Sequence, residues 1–291
     1  MRNFDNLEPQ TRGAIHMATA SLFFFLMGLM VKYCQALPIS EIVFFRGVIA
    51  MVLCLVQLKV AKISPWGNSK FLLIARGLCG TGALFLFFTT LHQLPYATAI
   101  TIQYLSPIFT TILTAIILKE IFYPKQIIFF ILALTGIIFV KGFDLSGNLW
   151  PYLIGMLSAL FSAGAYTCIR KIKETEHPLV IIFYFPLVII PLILPLVIRD
   201  WVTPTAIQWL YLLGVGVFVQ IAQYFMTRAY QLGDASVVSL PGYLGVIWAS
   251  AGGYFFFDES LSLLAFFGIT LVMAGVVGNT LYRRHKISQG S

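Results

Sequence analysis

Charge is what this chain lacks. Only 10% of its 291 residues are Asp, Glu, Lys or Arg, against about 25% in a typical soluble domain. So few charges cannot clothe a fold of this length in water, which excludes a soluble enzyme, and the apolar content excludes a disordered chain. Cysteine is scarce as well. Cys34, Cys54, Cys79 and Cys168 lie in or beside apolar runs, with no CxxC or Cys/His ligand spacing. That excludes a secreted disulfide scaffold and leaves no basis for a zinc site or a catalytic thiol. No GxxxxGK[ST] loop is present, so ATP is not the direct energy source and no cofactor is implied. The carboxylates are scattered, whereas an integral membrane enzyme needs His, Asp or Glu clustered at one membrane face.

What the chain has is apolar length. Hydrophobic residues make up 59% and the mean hydropathy is +0.89, so the solvent is largely lipid. A helical span needs roughly 20 apolar residues. Ten such stretches occur: Gly13–Val31, Ser40–Leu58, Lys70–Leu91, Ala97–Leu118, Pro124–Val140, Trp150–Ile169, Pro178–Ile198, Ala206–Thr227, Ala235–Phe257 and Ser262–Tyr282. Together they leave only about 90 residues for two tails and nine loops. Runs such as Ile112–Leu118 lack the alternation of a barrel strand, so the expected fold class is all-α integral membrane. The first twelve residues are polar and include Asp5 and Glu8, unlike a signal peptide, so the first run is expected to be a retained helix.

The charges that remain mark topology. With the amino terminus placed in the cytoplasm, fourteen of the nineteen basic residues fall in cytoplasmic segments, among them Lys59, Lys62, Lys119, Arg170, Lys171 and Arg228. Lys32, Lys141 and Arg199 fall outside, and Arg46 and Arg76 fall within spans. The positive-inside rule therefore predicts both termini in the cytoplasm; the expected location is the bacterial inner membrane. The rule also accounts for the net charge of +8 without nucleic acid.

The chain repeats itself. Leu94–Phe122 (LPYATAITIQYLSPIFTTILTAIILKEIF) matches Leu232–Leu261 (LGDASVVSLPGYLGVIWASAGGYFFFDESL), with Glu120 and Glu259 near the two ends. Downstream, Leu132–Val140 matches Leu271–Asn279 without gaps, and Gly136 corresponds to Gly275. The expected organisation is two five-helix repeats, 1–142 and 143–291. Five is odd, so the second enters the membrane inverted, a recurrent design of secondary transporters with a midplane site between the halves.

These paired segments resemble those of EamA-type transporters, in the drug/metabolite transporter superfamily. So do EIVFFR at Glu41–Arg46 and RGLCGTGALFLFFTTLHQLP at Arg76–Pro95. Within the family, Glu41, Arg46, Arg76 and Ser106–Pro107 are most similar to the subgroup described as S-adenosylmethionine uptake carriers. The resemblance implies ten helices, both termini inside, and a central cavity lined by the first, third, fourth, sixth, eighth and ninth helices.

Polar groups within spans are costly and mark candidate sites. Arg46 and Arg76 each lie six residues into a span, about 9 Å deep. Each either grips an anionic group with its forked guanidinium or clamps neighbouring helices. Glu41 sits about 140° around the helix from Arg46, at the external mouth, as a gate, a proton carrier or a solvated residue. The fourth helix carries Ala99, Gln103, Ser106 and Thr110 on one face, with Tyr104 adjoining. Pro107 frees the Gln103 carbonyl from its usual partner. The ninth helix mirrors this with Ser236, Ser239, Tyr243, Ser250 and Pro241; the eighth adds Gln220, Gln223, Tyr224 and Thr227, and the sixth Ser158, Ser162 and Tyr166. Tyr243 and Trp248 are candidates for stacking on an aromatic or cationic group, with core packing the alternative for Trp248. Gly77, Gly80 and Gly82 read as close-packing positions, and Pro186, Pro191 and Pro195 as a bend in the seventh helix.

The expected activity is secondary transport of a small polar metabolite by alternating access. S-adenosylmethionine, an amino acid, a carboxylate or a riboflavin-like molecule fits the residues. Uptake and export, proton coupling and metabolite exchange, monomer and homodimer all stay open. A channel would need a continuous polar pore, which Pro and bulky aromatics interrupt; a scaffold would not need buried arginines.

Overall fold

The computed structural model describes residues 7–119, 121–141, 148–172, 174–232, 240–259 and 262–289. Every regular element among them is helical. The ten spans are Pro9–Tyr33, Ile39–Ala61, Lys70–Gln93, a fourth in two pieces (Tyr96–Gln103 and Ser106–Ile117), Gln126–Lys141, Trp150–Ile172, Pro178–Arg199, Ala206–Leu232, a ninth formed by a 3₁₀ turn (Leu240–Tyr243) leading into Leu244–Phe257, and Leu263–Gln289. Eight are long and apolar enough to cross a membrane; the fifth and the described part of the ninth are shorter. Glu120, Ser236, Ser239, the expected start of the ninth span and the 142/143 repeat boundary lie outside the described residues.

Proline punctuates the helix starts, where a missing N–H costs little. Pro38 and Pro95 precede the first residues of the second and fourth spans, and Pro178 opens the seventh. Inside a span proline acts in two ways. Pro186, Pro191 and Pro195 are all held within one helical element, Pro178–Arg199. Pro107 instead accompanies a break. Tyr104 N donates back to Ile100 O (3.1 Å) and Leu105 N to Ile102 O (3.0 Å), after which a new helix begins. The expected single helix Ala97–Leu118 is thus two helices, because a proline cannot continue the ladder and clashes with the preceding turn.

The halves are interlaced. The most extensive packing joins the first span to the eighth, the third to the sixth, the second to the seventh and the fifth to the tenth. Every one of these pairs crosses from one repeat to the other. The second span also packs on the eighth, and the third on the seventh. Swapping the repeats turns the group of first, second and eighth spans into the group of sixth, seventh and third. The packed groups are mixed, because each half buries its apolar and small-residue faces on the other.

Two glycines show this symmetry at atomic level. A Cβ on Gly136 would lie 2.7 Å from the Gly268 carbonyl oxygen, and one on Gly275 2.6 Å from that of Phe129. Positions 129 and 268 differ by 139, as do 136 and 275, so this is one contact read from either repeat. The fifth and tenth spans approach backbone to backbone there, as small residues in membrane helices allow. Gln126 Nε2 donates to Asn279 Oδ1 (2.9 Å) in the same interface, both residues buried. Outward, the bundle exposes large apolar side chains such as Phe71, Leu263 and Phe266. Buried polar and charged side chains such as Arg46, Arg76 and Gln220 lie inside the bundle.

Because backbone, not a pliable side chain, bounds the space beside Gly275, Gly275→Ala is expected to destabilise by about 1–3 kcal/mol. That sign opposes the helix preference of alanine. Thermal unfolding of the purified variant in detergent measures it, and an unchanged or raised midpoint would refute the close contact.

Candidate functional site

A central cavity opens inside the bundle, with about 1260 Å³ of space free of protein atoms in it and at its open mouth, solvent included. It is lined from the six expected spans, and two further spans each contribute one residue, Arg46 from the second and Phe185 from the seventh. The lining reaches Ile169 and Tyr230, within a turn of the ends of the sixth and eighth spans at the face where the chain begins.

Phe185 organises the cationic part. The Arg46 guanidinium carbon lies 4.9 Å from its ring centroid and that of Arg76 5.1 Å. Glycine makes this possible: a Cβ on Gly80 would stand 2.8 Å from Phe185 Cδ2. Both arginines are buried, 4% and 3% exposed, and both face the cavity. Arg76 Nη2 donates to Gln223 Oε1 (3.2 Å). Nε and Nη1 of each arginine have no hydrogen-bond partner, and no carboxylate pairs with either among the described residues. Buried charges are normally paired, and an anion is the chemical group that would complement these free donors. The clamp alternative has one contact in its favour, the Arg76–Gln223 bond between the third and eighth spans; among the described residues no carboxylate is clamped.

The opposite wall is aromatic and amide. Tyr104 and Tyr243, separated by the repeat offset, meet edge to face at 5.2 Å, and the Tyr104 hydroxyl donates to the Gly242 carbonyl. A side chain on Gly245 would collide with that hydroxyl. The breaks in the fourth and ninth spans thus meet each other. Gln103 lines the cavity, but both ends of its amide are engaged: Nε2 donates to Ser162 Oγ (2.6 Å), and the Ser158 hydroxyl lies 2.9 Å from Oε1. Ser106, Pro107 and Tyr166 also line it.

The remaining expected residues fall elsewhere. Gln220 borders a smaller void beside both arginines and donates to Gln57 Oε1 (2.9 Å). Tyr224 packs against Phe225 at 5.7 Å, outside the cavity. Trp248 is exposed on the outer surface, since its helix turns its small residues Gly245, Ala249, Gly252 and Gly253 inward. Pro241 lies in the 3₁₀ turn and leaves the lining to Gly242 and Tyr243. Glu41 is not a solvated mouth residue. It is fully buried, and its Oε1 accepts from the Val202 amide, which ties the loop before the eighth span to the second span.

Three features escaped the sequence. Phe185 sits in an unbroken apolar run and carries no signal. Tyr230 lies beyond the expected end of the eighth span, although it is seven residues from Gln223 and so on its face. The third is a latch at the face opposite the chain's start. Lys32 pairs with Glu259 Oε1, whose Oε2 accepts the Tyr96 amide (2.7 Å). Lys32 also lies 4.9 Å from the Phe257 ring centroid, and the Tyr96 hydroxyl donates to Phe25 O (2.7 Å). The first, fourth and ninth spans are joined there.

Comparison with known proteins follows the same lines. The EamA-like transporter family matches this chain twice, over residues 11–142 and 149–281. The pseudopaline exporter CntI of Pseudomonas aeruginosa is 30% identical over 269 residues, covering 91% of this chain and 94% of the exporter. The S-adenosylmethionine uptake transporter of Rickettsia prowazekii is 23% identical over 222 residues, 75% of each chain. A solved crystal structure superposes with a TM-score of 0.72 at 19% identity, covering 94% of this chain and 98% of the other, which shows a shared fold.

The latch sets an expectation. Lys32→Met leaves Glu259 without its counter-charge in a largely buried site, at a cost of about 2 kcal/mol or more. Adding Glu259→Gln should restore part of that stability. Thermal midpoints of the two single variants and the double variant form the cycle that measures the coupling; additive effects would dissolve the latch.

Proposed function

This chain belongs to the EamA-like transporter family, and on that footing we propose that it is a secondary carrier moving a small polar or zwitterionic organic metabolite across the inner membrane by alternating access. The observation that carries the reading is the pair of buried guanidiniums, partnerless at Nε and Nη1, on the wall of a cavity that crosses the interface between the repeats. A carboxylate of the substrate completes their hydrogen bonds with two-pronged geometry. Gln223 holds Arg76 in place, Gln220 shapes the void behind both arginines, and Gln103 and Ser106 offer polar contacts near the break in the fourth span. Tyr104, Tyr166 and Tyr243 provide flat surfaces for a ring or a methylene chain. Tyr224 and Trp248 lie outside the cavity and are assigned to packing and to the lipid face.

In this reading the moving bodies are the interlaced groups, first–second–eighth against third–sixth–seventh. Pro107 and Pro241 mark the hinges, where the ladders of the fourth and ninth spans are already interrupted. The conformation described is latched at the Lys32–Glu259 face, the external face if the basic loops are cytoplasmic. Glu41, buried with its Oε2 unpartnered, is the residue through which a proton would couple; metabolite exchange is the other mode of drive. The names of the two relatives point in opposite directions, export and uptake, so direction is not carried over. The second reading keeps the same site and makes the chain an exporter of amino acids or drug-like compounds, or a riboflavin-type carrier.

Purified protein screened by thermal shift against S-adenosylmethionine, amino acids and carboxylates identifies ligands, since whatever binds only the folded state raises its midpoint. Flux of the best ligand into proteoliposomes is expected to saturate. Arg46→Ala, with folding intact, is expected to lower it at least about tenfold. Linear, unsaturable flux would sink the carrier reading.

A further inference from the structure

Among the described residues that line the cavity there is no Asp, Glu, His or Lys, and the charged side chains are Arg46 and Arg76 alone. Their guanidinium carbons flank one phenyl ring at 4.9 and 5.1 Å, so they lie at most about 10 Å apart. Like charges this close in a water-poor interior repel strongly, and each is expensive to leave uncompensated. A monoanion relieves one of them. A zwitterion adds an ammonium to a site that already holds two cations. A molecule of net positive charge finds no carboxylate to receive it, and the aromatic walls lie in the field of the arginines. A ligand carrying two negative charges neutralises the pair, and a separation of at most about 10 Å between the guanidinium carbons suits two carboxylates joined by a short chain.

We propose that the substrate is a dianion of dicarboxylate type, with one carboxylate on Arg46 and the other on Arg76, and that net-cationic molecules are not carried. This rests on the reading of the cavity as the substrate site, and it narrows that reading from three substrate classes to one.

The probes are malonate through adipate, the monoamide and diamide of glutarate, and S-adenosylmethionine, each titrated against the full-length protein in detergent by thermal shift. At least one dicarboxylate is expected to stabilise, and the glutarate monoamide to need at least about tenfold more ligand than glutarate for the same shift. The diamide and S-adenosylmethionine are expected to do nothing. Arg46→Gln and Arg76→Gln should each erase the preference for two charges. Each should also raise the ligand-free midpoint, because it removes an unpaired buried charge. Arg46→Lys, which keeps the charge but loses the fork, serves if the glutamine variant does not fold, and should weaken dicarboxylate binding. The proposal is overturned if no dicarboxylate stabilises, if monoamide and dianion act alike, or if both glutamine variants are less stable without ligand. If a monoanion or S-adenosylmethionine binds and needs the arginines, the dianion assignment falls while the substrate cavity stands. If binding ignores both substitutions, the cavity reading falls too.

Discussion

Two guanidinium groups held against one phenyl ring, inside a bundle whose outer surface is apolar, set the terms for the rest of the site. Among the described residues neither has a carboxylate to neutralise it, an expensive state in a low-dielectric interior. Gly80 lets Phe185 approach the third span, and Gln223 fixes one guanidinium. Leaving these donors unpaired costs stability, a cost that functional sites commonly carry. An anion entering it gains charge-assisted hydrogen bonds and relieves the repulsion at the same time.

The frame that holds this arrangement is a duplication whose copies interlock. Gly136 and Gly275 make the same backbone approach from either repeat. Tyr104 and Tyr243, repeat partners in sequence, touch ring to ring where both of their spans depart from regular α-helix. A bilayer tolerates such interruptions only where protein or a polar cavity receives the freed backbone groups. The broken segments accordingly face each other, and the Tyr104 hydroxyl satisfies a carbonyl beside the opposite break.

Legibility followed the physics of each signal. The spans were readable because lipid demands about 20 apolar residues in a row, and the repeat because glycines and acidic residues recur at a fixed offset. Arg46, Arg76, Gln103, Tyr104, Ser106, Tyr166, Gln223 and Tyr243 were readable because polar groups in apolar helices stand out, and all of them line the cavity. Trp248 misled for the converse reason: an aromatic ring is as much at home facing lipid as facing a ligand, and only the inward turn of its small neighbours decides. Phe185 was invisible because its apolar neighbours in the seventh span look like it. Glu41 stayed open between a gate, a proton carrier and a solvated residue because its partner, the Val202 amide, lies 161 positions away.

The sequence by itself determined the solvent, the number of crossings, the duplication and the set of polar residues that lipid would not tolerate, since each depends on local composition or on a repeat along the chain. Tertiary structure alone decided which of those residues meet. It placed two arginines from different spans on one ring, latched Lys32 to Glu259, interlaced the halves and turned Trp248 outward. Those outcomes depend on which face each helix turns to its neighbours, and that is settled by close packing between segments far apart in the chain.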